Sequence, residues 1–417
     1  MNWIAQRAPN DMSRRALQVC YYPIRNPIAG GQIRATQLAN LIEGMGYKRE
    51  FMGIYPHRVD GWVSDFPIGQ VANDWVFSVP HDFEMRLTDA VIADIDFYNK
   101  ILKQASAYDP DLLWLEHPFL WPIFKTWACS RHDRMKVVYS SHNVEWAMKE
   151  QLLKRHEVFD NYCVQRIYTT ERDLLLSAHG VLCCSEDDQK TYAYHGRKDA
   201  LVIPNGSSCP EISEENLGGP SLMGGLDISE GKVVLVFISS YHEPNWFGLR
   251  DLVLSHMVSG GLLENSLLIL MGDICRLYED WCASTGHRIS GVHCVGRVTD
   301  EEKSSYFKTA DIAVLPITDG GGTNLKTAEA LLSCRAVAAT SIAFRGFERH
   351  MTLPGVFCSP VEGFASALFE AMSFVKEMGT RSKMELACAA RHDQVEDCRW
   401  PEIIRNGKKF SEILDKQ

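Results

Sequence analysis

A short apolar strand, a triple-glycine turn and an amphipathic helix follow one another in PITDGGGTNLKTAEALLSCRAVAAT, residues 316–340, and this order constrains the fold more than any other feature. The run ADIAVLPI, ending at Ile317, is long enough for a buried strand and too short for a helix. Asp319-Gly320-Gly321-Gly322 then allows the backbone to approach a ligand closely, because glycine carries no Cβ. Leu325, Ala328 and Leu332 recur at helical spacing, which predicts a helix from about Thr323 with its unpaired N–H groups aimed above the glycines. An anion suits that place.

At 417 residues and 46 % hydrophobic, the chain exceeds one ordinary core and predicts two domains facing each other across a cleft. A net charge of −10 argues against a general nucleic-acid binder. The opening segment is locally basic, with Arg7, Arg14, Arg15, Arg25, Arg34, Lys48, Arg49 and Arg58 against Asp11, Glu43, Glu50 and Asp60. That face could meet an anionic membrane, although a solvated basic surface is the commoner meaning. Thirteen cysteines without a CxxC pair suggest neither a disulfide framework nor a zinc knuckle, and fit a reducing cytosol. No signal peptide opens the sequence, and runs such as VVLVFI fall well short of the roughly 20 apolar residues of a membrane span. A cytoplasmic protein is expected, soluble or at the inner face of the membrane.

Strands are predicted at 17–22, 112–116, 136–140, 180–185, 232–240, 266–272, 291–298 and 310–317, with helical stretches between them, including one over 245–258. Another helix carries Leu38, Leu41, Ile42 and Met45 and stops at Gly44 and Gly46. Strand alternating with helix means α/β architecture with parallel sheets. Residues 201–225, rich in Pro, Gly, Ser and Glu, read as a linker, so the chain divides near residue 205. Loops at 23–31, 141–146, 239–245 and 318–324 follow strand ends and are expected to converge, since ligands of such sheets bind beyond the carboxyl ends of the strands.

Lys326 and Glu329 share one face of the helix after the glycines. They could form a plain surface ion pair. In the first turns of a helix aimed at phosphate, the lysine could instead neutralise a departing diphosphate and the carboxylate accept paired sugar hydroxyls. The turn departs from both GxGxxG and GxxxxGK[ST], which disfavours dinucleotide and P-loop readings. Asp94-Ile95-Asp96 forms a DxD, but within ADIDFYNKILKQ it reads as part of a helical face with Ile101 and Leu102. Neither HExxH nor EF-hand spacing occurs, so no metal is required.

Residues 316–340 resemble the donor signature of retaining GT-B glycosyltransferases of family 4, the glycosyl transferases group 1, in the branch reading Pro-Leu-x-x-Gly-x-Gly-Thr-x-Leu-Lys-x-x-Glu-Ala. The resemblance continues in family order through YSSHNVEWAM (139–148), IPNG (203–206), FISSYHEPNWFGLRDLV (237–253) and VGRVTDEEKSSYFKTADIAVLP (295–316). It implies a GT-B fold of two Rossmann-like domains: 1–205 for the acceptor, 206–390 for the donor, and a helical segment 391–417 packing back on the first. It further implies transfer of a sugar, with retention, from a nucleoside-diphosphate sugar to a glycan or lipid-linked acceptor in cell-surface polysaccharide synthesis. No cofactor is needed, because the nucleotide sugar is itself the substrate.

Carried onto this sequence, the resemblance places His142 beside the reacting sugar and Lys326 at the diphosphate. Asp319, Gly321, Gly322, Thr323 and Asn324 line the donor turn, Glu329 holds the ribose, Arg297 borders the base, and Ser240 and Asn245 lie on the strand-turn-helix of the second domain. Gly30 and Gly31 form the matching first-domain loop, either a tight left-handed turn or a close approach to the donor phosphate. One position departs. Gly321 stands where the commoner form of the family has a first glutamate, so the sugar contact must come from backbone N–H groups, from Asp319 or from elsewhere. The arginine and lysine that many members carry after the first strand of the second domain are not evident near Ser239–Asn245. Nucleotide-sugar epimerisation or hydrolysis, and a silent nucleotide-sugar-binding subunit, remain the alternatives. A nicotinamide dehydrogenase is disfavoured, since no first strand is followed by GxGxxG with an acid about 20 residues on.

Overall fold

The computed structural model describes residues 12–24, 27, 29–55, 66–208, 232–241, 243–258, 263, 266–319 and 323–415. Most of the expected linker lies outside them. The chain divides into one unit of Met1–Pro204 with Ile404–Gln417 and a second of Asn205–Ile403. It returns to the first unit inside the helix Trp400–Gly407, so residues 391–403 pack within the second unit and only the last stretch packs with the first.

The first unit is a seven-stranded parallel sheet. Its strands are β1 (Arg15–Cys20), β2 (Lys48–Tyr55), β3 (Phe66–Pro67), β4 (Leu112–Leu115), β5 (Lys136–Ser140), β6 (Gly180–Cys183) and β7 (Leu201–Val202), in the order β3-β2-β1-β4-β5-β6-β7. Their near-continuous apolar runs suit strands covered on both faces by helices. β1 begins two residues earlier than its hydrophobic run, because Arg15 is buried, donating from Nη1 to Tyr108 O at 3.0 Å while Asp111 accepts its backbone N–H at 2.8 Å. It also ends earlier, at Cys20, which turns Tyr21 and Tyr22 out of the ladder and into the loop beyond the strand end. β2 escaped the sequence pattern because its charged start, Lys48-Arg49-Glu50, hides a buried FMGIY. The C-terminal helix Phe410–Asp415 closes this sheet from below: a Cβ on Gly180 would meet Phe410 at 2.5 Å and Leu414 at 2.7 Å.

Of the basic residues described in the opening segment, Arg14 and Lys48 are exposed and the others are buried or paired. Arg15 and Arg34 are buried, Arg49 pairs with Glu43 at 3.3 Å, and Arg14 lies over the Tyr47 ring and 3.6 Å from Asp415. Arg7, Arg25 and Arg58 lie outside the described residues. Among the described residues no helix is long and apolar enough to cross a membrane.

The second unit is a six-stranded parallel sheet, ordered β10-β9-β8-β11-β12-β13. Its strands are β8 (Val233–Ile238), β9 (Ser266–Met271), β10 (Val292–Gly296), β11 (Ile312–Leu315), β12 (Ala336–Thr340) and β13 (Val356–Ser359). β12, Ala-Val-Ala-Ala-Thr, has no strand-like composition; its small side chains are wholly buried between β11 and β13. The helix expected over 245–258 is divided into Glu243–Leu249, a π-helical turn Arg250–Leu254 and Ser255–Val258. Its first part lies directly on the end of β11, where a Cβ on Gly248 would fall 1.8 Å from the Pro316 carbonyl oxygen.

No rotamer change can relieve a collision with a backbone carbonyl. Gly248→Ala should therefore lower the stability of the second unit by about 1–3 kcal/mol, the usual cost of overpacking, and its thermal unfolding midpoint should fall by several degrees. An unchanged midpoint would show that this helix is free to move off Pro316.

Candidate functional site

In the second unit the predicted residues gather at the carboxyl ends of β8, β10 and β11. Gly321 and Gly322 lie outside the described residues; the two flanks of their turn are well tied. On one side, Thr340 Oγ1 donates to Ile317 O and Gly248 packs on Pro316; Asp319 is half-buried just before the glycines. On the other, the Asn205 backbone donates to Thr323 Oγ1 at 3.2 Å and Asn205 Nδ2 to Thr323 O at 3.0 Å. Thr323 is thus held by the IPNG segment, and the helix begins at Leu325 rather than near Thr323. Asn324, at the cap position, stays extended (φ −91°, ψ 113°) and donates its side chain to Ala343 O at 3.3 Å. Asn324 supplies no side-chain cap, and the first-turn N–H groups carry the partial positive charge of a helix start.

Lys326 and Glu329 rise from that turn without pairing. Glu329 Oε1 instead meets Lys303 Nζ at 2.8 Å, from the preceding helix Asp300–Thr309, and Lys303 also reaches Asp300 at 3.0 Å. Glu329 Oε2 makes no hydrogen bond among the described residues. Half-buried Lys326 has no ion-pair partner among them either; burial pushes its ammonium down to about 8, with the Glu329 charge acting the other way. Lys303 carried no signal in the sequence. In Asp-Glu-Glu-Lys it reads as a surface helix residue, and only the fold brings it to Glu329.

The other predicted donor residues have structural partners. Asn245 is buried and donates to Ser239 Oγ at 2.8 Å, while Ser239 Oγ donates to the carbonyl of exposed Ser240 at 3.1 Å, which braces the turn after β8. Arg297, exposed after β10, forks onto Asp273 with bonds of 2.6 and 2.9 Å, and that pairing raises its guanidinium further. Its charge is already met.

In the first unit, His142 lies beyond β5 at the centre of a buried polar cluster. Its Nε2 is 2.9 Å from Glu116 Oε2, which also accepts Ser140 Oγ at 2.9 Å, while Glu116 Oε1 accepts Trp114 Nε1 at 2.9 Å and Gln18 Nε2. Burial opposes the charge on Glu116, but the donors, His142 first, hold its carboxyl below the usual range. On the other side, His142 Nδ1 lies 3.3 Å from Tyr22 Oη, which is 2.9 Å from His117 Nε2; His117 Nδ1 is 3.2 Å from Glu145 Oε1. The two imidazoles stand 4.2 Å apart. Burial, then the neighbouring His117, push His142 down to about 4 against the pull of Glu116, so its ring is neutral at neutral pH. Gly30 and Gly31 open the helix Gly30–Gly44 with no positive φ, which sets aside the left-handed turn. Gly31 is required by close approach: its Cβ would lie 2.5 Å from Tyr22 Oη and 3.4 Å from His142 Nδ1.

Sequence reading singled out His142 and Gly31 but missed Tyr22, Glu116, His117 and Glu145. A signal existed in LLWLEH, where two titratable residues end a buried apolar run as His142 does. The DxD has a local role: Asp94 caps the helix Ile95–Tyr108 by accepting Phe97 N–H at 3.0 Å, and Ile95 is exposed rather than packed. Among the described residues one trio, His350, Asp397 and Cys398, could surround an ion, with ligand atoms within 4.8 Å of one another. Arg349 already pairs with Asp397, and burial pushes the Cys398 thiol up to about 12, so the trio is suited to hydrogen bonding rather than to metal binding.

Residues 232–372, within the second unit, match the family model described as glycosyl transferases group 1. No curated protein matches the chain in sequence. Among solved structures, the sucrose-phosphate synthase of Thermosynechococcus elongatus is similar over 97 % of this chain and 100 % of its own, with 13 % identity and a TM-score of 0.68. HepE of Anabaena, solved in complex with UDP-glucose, covers 97 % and 100 % at 15 % identity and 0.61. The UDP-forming α,α-trehalose-phosphate synthase of Burkholderia xenovorans covers 96 % and 99 % at 11 % identity and 0.60. At such identities the likeness establishes the fold, which is GT-B as the sequence resemblance implied.

Behind the histidines, Glu171 is buried and accepts Tyr139 Oη and Tyr192 Oη at 2.8 Å each and Trp146 N–H at 3.1 Å. Burial, then the charge of Glu145, push its carboxyl up to about 8 from an ordinary 4.5. The folded chain therefore keeps a proton that the unfolded chain gives up. The stability this group contributes is whole below 4.5 and is lost as the pH rises through about 8. Glu171→Gln stays neutral, so its thermal midpoint relative to the parent should climb from about pH 4.5 to about pH 8 and then level off. The amide opposite Trp146 N–H costs a constant amount; an offset without slope would mean that Glu171 is ionised throughout.

Proposed function

Proceeding from the group 1 domain and the GT-B fold, we propose that this chain transfers a sugar, with retention, from a nucleoside-diphosphate donor to an acceptor hydroxyl. The observation that carries the reading is the helix start at Leu325, where Asn324 gives no side-chain cap, half-buried Lys326 lacks an ion-pair partner among the described residues and Glu329 presents Oε2 while Lys303 holds Oε1. In the transfer, the bond from the anomeric carbon to the diphosphate oxygen breaks and the acceptor oxygen takes its place. The acceptor's proton leaves on the departing diphosphate. Lys326 and the helix N–H groups meet the charge that develops there, an electrostatic contribution fixed in place before reaction. Glu329 accepts the ribose hydroxyls, and the His142 cluster of the first unit meets the sugar. UDP-glucose bound to Anabaena HepE supports a donor of this class.

The acceptor is proposed to be a growing cell-surface glycan, free or lipid-linked, and the site of action the cytoplasm at the inner face of the membrane. The arginines of the opening segment give membrane contact no support. Gly321, in the place of an acid, favours one second reading: a subunit that binds nucleotide sugar and transfers none.

Glu329→Ala should weaken binding of the nucleotide sugar about tenfold, the worth of hydrogen bonds to a charged acceptor. Lys326→Ala should lower turnover by roughly 100-fold or more at little change in affinity. Because the Lys326 ammonium is pushed down to about 8, parent turnover should fall above that pH as the lysine loses its proton, and this limb should be missing in Lys326→Ala. Parent-like kinetics in both variants would reject the donor site, and binding without transfer to any acceptor would select the second reading.

A further inference from the structure

Glu329 has two cations within reach and pairs with the one more distant in sequence. Lys326 stands three residues earlier on the same helix, the spacing at which an acid and a base ordinarily meet. It is close enough that the Glu329 charge opposes the effect of burial on its ammonium. Glu329 Oε1 nevertheless goes to Lys303 Nζ at 2.8 Å. The Lys303 and Glu329 side chains are only 13 % and 12 % exposed, so solvent screens their attraction little and the carboxylate keeps one orientation.

Lys303 is itself fixed from behind. Its helix, Asp300–Thr309, starts with a reciprocal cap: Thr299 Oγ1 accepts Glu302 N–H at 3.2 Å, and Glu302 Oε2 accepts Thr299 N–H at 2.8 Å. Exposed Asp300, in the first turn, holds Lys303 Nζ at 3.0 Å. This helix packs on Leu325–Ser333, whose start is tied down by Asn324 Nδ2 and Thr327 Oγ1, both donating to Ala343 O. The ammonium therefore meets Glu329 from a braced support. With Oε1 so held, Oε2 makes no hydrogen bond among the described residues, and Lys326 has no ion pair among them.

We propose that Lys303 is a positioning residue of the donor site, which holds Glu329 away from Lys326 and so reserves Oε2 for the ribose hydroxyls of the nucleotide. Without Lys303, Glu329 and Lys326 would close on each other, and the acid would be lost to the ribose as the ammonium would be to the diphosphate. This role rests on the glycosyl-transfer reading, which supplies the ribose and the diphosphate.

Titrations of the full chain with UDP and with dideoxyuridine diphosphate, which lacks both ribose hydroxyls, test it. The parent should prefer UDP roughly tenfold, the worth of hydrogen bonds to a charged acceptor, and Glu329→Gln should lose most of that preference. Lys303→Met keeps the length of the side chain without its charge, and its preference for UDP should fall to about twofold or less. Lys303→Arg, still able to pair with the acid, should keep the parent's preference. A purely structural fault would weaken both ligands alike and leave their ratio unchanged. Adding Lys326→Met to Lys303→Met removes the competing cation and should restore most of the preference, whatever it costs at the diphosphate, because both ligands carry one. An undiminished preference in Lys303→Met, or a double variant as indifferent as Lys303→Met, would overturn the proposal while the donor site stands. A parent that binds both ligands alike, or neither, would take the ribose away from Glu329 and overturn that reading and the role of Lys303 together.

Discussion

A carboxylate buried at the end of β4 organises the first unit. Glu116 is inaccessible to water and charged, a state tolerated in a protein interior only where donors replace the lost hydration. Four do so: Gln18 from β1, Trp114 from β4 itself, Ser140 at the end of β5, and His142 just beyond it. Because these come from three adjacent strands, one charge fixes the mutual register of their ends and the orientation of the ring that follows. The sheet creates the place, and the charge makes it rigid.

The second unit keeps a lysine on different terms, and a comparison within the chain shows why that matters. Lys149, buried in the first unit, has every partner it needs, with Glu84 at 2.9 and 3.1 Å and His81 O at 2.8 Å. Lys326 is pressed into the start of a helix without such a shell among the described residues, and burial depresses it. This protein pairs a buried ammonium where the role is structural. An unmet positive charge beside uncapped N–H groups is instead a standing demand for an anion. The flanks of the glycine turn, by contrast, are over-supplied with ties through Asn205, Thr340 and Gly248.

What the sequence made legible follows from range. Strands built on a continuous apolar run, such as SLLILM and IAVL, announced themselves, and so did the helix after the glycines, whose spacing is local. β12 did not, because five small residues satisfy any secondary structure and only the space between β11 and β13 selects a strand. Arg34 and Arg15 were misread as surface charge, since a sequence window cannot show that the carbonyl of Tyr108 lies waiting for one of them. The site divided in the same way. Glu329 and Lys326 were visible through their spacing, but Lys303, Tyr22 and His117 have meaning only through partners 26 to 120 positions away.

Behind the hydrogen bonds of the histidines lies a buried acid that never touches them. Glu171 is buried, and burial first, then the charge of Glu145, raise its carboxyl to about 8. Glu171 receives two tyrosine hydroxyls and a backbone N–H, yet burial and the charge of its neighbour leave the proton with it. The helix Asn161–Ser177 therefore brings behind the site an acid that keeps its proton at neutral pH.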